Sequence, residues 1–111
     1  MISWIQNWFN EQCDGDWEHD QTIKIESLDN PGWSVEIDFN YTDVDKEDIA
    51  WKVYESAENN WIGYRISDNV FIASGDPLKL NSILEIFKRI TENGDLSDEY
   101  LNSLVSLENK N

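Results

Sequence analysis

The chain has 111 residues, 40% of them hydrophobic and 13% aromatic, with 23 acidic against 8 basic side chains and a formal net charge of −15. That is one domain's length with apolar material for a modest core, which excludes two domains and wholesale disorder. Nucleic acid and anionic membrane surfaces are excluded as partners, because both call for the lysines and arginines that this chain lacks.

The charge is unevenly spread: residues 1–60 carry 15 acids and 3 bases, and residues 61–111 carry 8 and 5. A basic partner remains, and a field of this sign speeds its encounter. Solubility is the plainer use of the same charge. No apolar run is long enough for a membrane span. Met1-Ile2-Ser3-Trp4 has no basic cluster ahead of an apolar stretch, and a single cysteine forms no intrachain disulfide. A cytoplasmic protein is expected.

In chain order, Ser3-Trp4-Ile5-Gln6 has the form of a capping box, and Trp4, Ile5, Trp8 and Phe9 recur at helical spacing. They predict a short amphipathic helix ending near Gln12. The acidic loop Cys13-Asp14-Gly15-Asp16-Trp17-Glu18-His19-Asp20 follows, with Gly15 permitting a turn. Residues 22–28 alternate Ile23 and Ile25 with Lys24 and Glu26, a strand with one wet face. Asp29-Asn30-Pro31-Gly32 is turn chemistry in which Gly32 is expected to take positive φ. Trp33, Val35, Ile37 and Phe39 then alternate with Ser34, Glu36, Asp38 and Asn40, which argues for an antiparallel sheet covered on one face.

After a polar, acidic connection over 42–48, residues 51–57 and 61–67 read as a hairpin around Asn59-Asn60. With those two residues as the loop, Val53, Ala57, Ile62 and Ile66 share the core side. Lys52, Tyr54, Ser56, Trp61 and Arg65 share the other, and a slip of one residue inverts the assignment. A strand over 70–74 follows the Asp68-Asn69 turn. Asp76 as N-cap and Pro77 in the first turn introduce a helix striped by Leu80, Ile83, Leu84, Phe87 and Ile90, ended by Asn93-Gly94. A last short helix starts at Ser97, with Leu96 and Leu101 placed as a hydrophobic staple. The expected fold is α+β: a mainly antiparallel meander of about five strands with an N-terminal helix and one or two C-terminal helices packed against it. One domain over 1–107 and a frayed tail over 108–111 are expected.

The acidic loop invites three chemical assignments. Cys13 and His19 form a nucleophile–base pair on paper, but no elbow or oxyanion motif surrounds them, and Cys13 serves equally as a small hydrophobe beneath the loop. Asp14, Asp16, Glu18 and Asp20 are hard oxygen ligands, yet their spacing is not that of an EF-hand, and zinc would need further Cys or His. A solvated acidic turn that caps backbone amides is the simpler account. The histidine is most simply a loop residue with a structural hydrogen bond. Trp4, Trp8, Trp33 and Trp51 lie in apolar patterns and are expected in the core. Trp17, among carboxylates, and Trp61, on the polar side of the hairpin, are candidate interface anchors. The alternative is that Trp17 folds back over the first helix and Trp61 packs beneath a helix.

Cys13-Asp14-Gly15-Asp16-Trp17-Glu18-His19, followed by Leu28-Asp29-Asn30-Pro31-Gly32-Trp33-Ser34-Val35-Glu36-Ile37, resembles the bacterial immunity protein 53 family. The spacing of Trp4 and Trp8 fits it too. The likeness spans roughly residues 3–90 and is weakest in the strands after Asn40. The resemblance implies a non-enzymatic, cytoplasmic antitoxin that binds and neutralises the toxin domain encoded beside it in a polymorphic toxin system used in bacterial competition. It supplies no catalytic residues to carry over, and no metal or cofactor is expected. Many such toxins are nucleases with basic clefts, which an acidic inhibitor complements by analogy.

On that footing Asp14, Asp16, Trp17 and Glu18 are candidate contact residues, Asp43, Asp45, Glu47 and Asp48 a steering rim, and Tyr54 and Trp61 alternative anchors. The competing assignment is a small metal-dependent or hydrolytic enzyme built on Asp14, Asp16, Glu18 and His19.

Overall fold

Among the described residues, five antiparallel strands carry four helices on one face. The computed structural model describes residues 1–106. The tail expected at 108–111 lies outside the described residues, as does the last residue of the domain expected over 1–107. Helix α1 (Ile2–Gln12) is followed by a single helical turn, α2 (Trp17–Asp20), and by strands β1 (Ile23–Leu28), β2 (Gly32–Asp38), β3 (Ile49–Ala57), β4 (Asn60–Ser67) and β5 (Val70–Gly75). Helices α3 (Leu80–Thr91) and α4 (Asp98–Ser103) complete the described chain. This is the α+β architecture that the period-two and helical stripes predict.

Several local signals act differently from expectation. Helix α1 begins at Ile2, with the Met1 carbonyl accepting from the Ile5 N–H, so Ser3 lies inside the first turn and forms no capping box. Gly32 does not take positive φ. Its missing side chain is needed because a Cβ there would lie 2.3 Å from the Gly75 carbonyl oxygen on the neighbouring strand. Asp76 caps the turn before α3 rather than the helix, which starts four residues later with Lys79 as N-cap. At the other end Asn93 (φ +54°) ends α3, and the Gly94 N–H reaches back to the Arg89 carbonyl at 2.7 Å, a Schellman closure. Ser97 caps α4 as expected, its hydroxyl accepting from the Tyr100 N–H at 3.2 Å.

The sheet order is β1-β2-β5-β4-β3, so two antiparallel meanders, β1-β2 and β3-β4-β5, meet at the central β2–β5 pair. To reach the far edge from β2, the connection over residues 39–48 crosses the ends of β5 and β4, three strand spacings or roughly 14 Å. It is therefore confined to one end of the sheet. Val35, Ile37, Tyr64, Ile66 and Phe71 point to the helical side and are buried. Phe87 of α3 stands at the centre of that core, its ring 5.0 Å from Trp8, 5.5 Å from Phe71, 6.1 Å from Trp4 and 6.2 Å from Phe39.

The β3–β4 hairpin corrects the expected register. Its loop is Glu58-Asn59, with Ala57 opposite Asn60, and a bulge between Glu55 and Ala57 places Tyr54 opposite Ile62 and Val53 opposite Gly63. One extra residue moves the side chains from Trp51 to Glu55 to the other face, before a second shift between Ile49 and Lys52. Tyr54 is thus on the core side, 8% exposed, and its hydroxyl donates to the Asp98 carboxyl at 2.7 Å. Burial first, then this bond and the negative charge of Asp98, raise the Tyr54 phenol above its usual pKa. Since the bond ties α4 to β3, Tyr54→Phe is expected to lower the unfolding free energy by about 1.5 kcal/mol, read from urea unfolding at neutral pH.

Candidate functional site

The acidic loop is built by its own carboxylates. Gly15 takes φ +99°, the positive-φ turn that its position predicts. The Asp14 Oδ1 accepts from the N–H groups of Asp16 and Trp17, both at 2.9 Å. The Glu18 carboxylate reaches back to the N–H groups of Asp14, at 3.0 Å, and Gly15, at 3.0 and 3.1 Å. The two acids thus cap the single turn α2 reciprocally, the logic of a capping box. The Trp17 and Asp16 amides hold Asp14 below the usual carboxylate range. Glu18 is held low by its own amide N–H and those of Gly15 and Asp14, with His19 adding to them.

Trp17 is turned inward. It is 5% exposed, edge-on to Trp8 at 5.9 Å and to Phe9 at 5.8 Å, with its indole N–H donating to the Asn40 carbonyl at 2.9 Å. This is the folded-back arrangement, and it removes Trp17 from the exposed anchors. The Cys13 thiol donates to the Phe9 carbonyl at 3.3 Å. Desolvation raises its pKa, and the charges of Glu18 and Asp14 raise it further, opposite to what a thiolate nucleophile needs. Among the described residues no three His, Cys, Asp or Glu side chains are grouped to hold a metal ion.

A further group of acids collects at the end of the sheet crossed by the 39–48 connection. The Asn40 amide donates to the Asp68 carbonyl at 3.1 Å, and the Asn69 amide donates to the Asn40 side-chain oxygen at 3.2 Å. The Asp68 N–H donates to Asp48 Oδ1 at 3.1 Å. These bonds, with the Trp17 indole on Asn40, fasten three loops together. Asp16, Asp20, Asp43, Asp45, Glu47, Asp48 and Asp68 are exposed there, and Lys46 is the single Lys or Arg in the three loops. Tyr41 projects from the same end, 90% exposed and at φ +62°. A cleft of about 150 Å³ separates it from Asp14, Asp16 and Asp20. Sequence reasoning passed over Tyr41, although an aromatic residue just beyond a strand and inside a polar run is a signal for such a projection.

The second exposed feature is the sheet face away from the helices. Trp61, on β4, points there as its alternation with Ile62 predicts, and it is half-buried. Trp51, expected in the core, is 46% exposed on this face, and Val53 beside it is 48% exposed. The Trp51 indole lies over Gly63, where a Cβ would come within 2.7 Å of the ring. Of the ten residues singled out from the sequence, Asp16, Asp43, Asp45, Glu47 and Asp48 share the acidic end with the two capping acids, Asp14 and Glu18. Trp61 lies on the bare face, and Tyr54 and Trp17 are inside.

A family model described as Immunity protein 53 matches residues 2–92. No curated protein and no solved structure matches the chain. The matched stretch runs from α1 through all five strands to the end of α3 and includes the acidic turn and the Trp51 face, and so the chain belongs to the immunity protein 53 family.

Proposed function

We propose that this protein is a non-enzymatic antitoxin that acts in the cytoplasm, binding a basic toxin domain, of nuclease type, and occluding its active surface. The observation that carries this proposal is the acidic end. Family membership supports the immunity role, and a concentration of carboxylates with one lysine among them supports a basic partner. In this mechanism Asp16, Asp43, Asp45, Glu47 and Asp48 steer the encounter through their field. Asp14 and Glu18 add charge, while Asp14 Oδ1 and the Glu18 carboxylate remain committed to backbone amides. Aromatic anchoring then slows dissociation, with Trp61 as the predicted anchor that remains partly exposed.

The test is binding to the toxin domain encoded beside this gene, in a catalytically inactivated form, with rescue of cells expressing the active toxin. Nanomolar affinity with rescue is expected; no binding and no rescue would sink the proposal. Raising salt from low to several hundred millimolar should slow association about tenfold or more and leave dissociation nearly unchanged. The combined variant Asp43→Asn, Asp45→Asn, Glu47→Gln, Asp48→Asn should show a slower association rate and a weaker salt dependence. A salt-independent association rate would remove steering from the mechanism.

A further inference from the structure

We infer that the toxin docks on the bare face of the sheet, with Trp51, Val53 and Trp61 as its apolar centre and carboxylates as its rim. This inference rests on the antitoxin proposal above and names the surface that contacts the partner. Strand alternation fixes what this face displays. Val53 lies directly across from Gly63, Glu55 across from Trp61, and Ile72 between Arg65 and Glu36. No helix among the described residues packs on it, and Gly63 is buried there beneath Trp51. A half-exposed tryptophan laid over a glycine, with a valine beside it, is the composition of an interface centre, and charged residues around it form the rim.

Charge complementarity decides the occupant. Glu26, Glu36, Asp38 and Glu55 point to this face against Lys24 and Arg65, four acids to two bases, and the molecule carries −15 overall. A second copy would bring the same excess of negative charge to the contact. A surface rich in arginine and lysine brings the opposite sign, and its guanidinium groups stack favourably on exposed indoles. The face is also continuous with the acidic end, since Asp38 closes β2 where the 39–48 connection begins. Five strands about 4.8 Å apart and six to nine residues long give a footprint of roughly 20 by 23 Å. The adjoining loops extend it toward the roughly 800 Å² per partner of a standard interface.

The experiment measures association and dissociation rates of the full chain with the inactivated toxin domain, for wild type, Trp51→Ala and Val53→Arg. Circular dichroism and urea midpoints report that each variant is folded. Both variants are expected to weaken affinity about 30-fold or more, mainly through faster dissociation, while the four-site variant of the 39–48 connection changes association. Val53→Arg sits at a half-exposed edge-strand position and sets a positive charge against a basic partner, so it stands in if Trp51→Ala does not fold. Tight wild-type binding that survives both substitutions would overturn the docking face and leave the antitoxin proposal standing. Absence of wild-type binding would overturn both. A dimer of the free protein that Trp51→Ala dissociates would assign the face to a second copy and overturn the inference.

Discussion

Asp76→Ala is expected to lower the unfolding free energy by about 3–5 kcal/mol, the range for removing one partner of a buried ion pair. Asp76 is 1% exposed and its partner Lys79 is 7% exposed, with the ammonium 2.9 Å from Oδ2. The same carboxylate accepts from the Trp61 N–H at 2.8 Å and the Leu78 N–H at 2.9 Å. It therefore joins the start of β4 to the turn that launches α3. Alanine would leave a buried ammonium without a counter-charge and two amides without an acceptor. Asp76→Asn, which keeps an oxygen for the amides, should cost less. Adding Lys79→Met to Asp76→Ala should recover part of the loss, because the unpaired charge disappears. Urea titration followed by tryptophan fluorescence measures all three.

The same residue gives a pH dependence of defined sign. Burial raises the Asp76 pKa, but the Lys79 ammonium and the Leu78 and Trp61 amides outweigh it and hold the carboxyl below its ordinary value. A carboxyl depressed in the folded state contributes stability that is fully present above its unfolded pKa of about 3.9. That contribution is lost as pH falls from there through the folded value. The stability gap between wild type and Asp76→Ala should therefore be constant from pH 7 to about 5 and narrow below about 4.

Much of the fold was legible because its signals are periodic and local. The alternation from Trp33 to Phe39 is the central strand β2, the stripe from Ile83 to Ile90 is α3, and Asp68-Asn69 adopts positive φ at both positions, as a tight two-residue hairpin turn requires. What was not legible depends on partners distant in sequence. The bulge beside Ser56 leaves no mark in a strand whose two alternating sets, Trp51, Val53, Glu55 and Lys52, Tyr54, are both mixed in polarity. The face of β3 is decided by α4 arriving over Tyr54. Asp76 resembles an N-cap by composition, but its carboxylate is drawn to the Trp61 amide on a strand fifteen residues earlier.

The candidate site divides along the same line. The phrase from Cys13 to His19 identifies the family, yet most of its conspicuous side chains build the turn: Asp14 and Glu18 cap it and Trp17 plugs it into the core. A motif dense in charge attracts functional assignment in a sequence, whereas in three dimensions Asp14 and Glu18 are turned to adjacent amides. The most exposed aromatics, Tyr41 and Trp51, lie outside that phrase, and only the sheet topology reveals that each is presented outward.

Trp17→Ala separates scaffold from interface. Its indole is buried against Trp8 and Phe9 and bonded to Asn40, so truncation opens a cavity and is expected to cost about 3–5 kcal/mol in unfolding free energy. Trp17→Phe retains most of the packing and loses the indole N–H, and should cost less than half as much. Because the Asn40 carbonyl accepts from that N–H, both changes also loosen the junction between the acidic turn and the 39–48 connection. A scaffold role predicts that toxin affinity, measured where each variant remains folded and corrected for its unfolded fraction, changes by less than about threefold in Trp17→Phe. A variant that keeps wild-type stability but loses affinity would instead place Trp17 in contact with the toxin. That outcome requires the turn to open on binding, and it would be visible as loss of amide protection at Asp14 and Gly15, whose N–H groups Glu18 holds in the free protein.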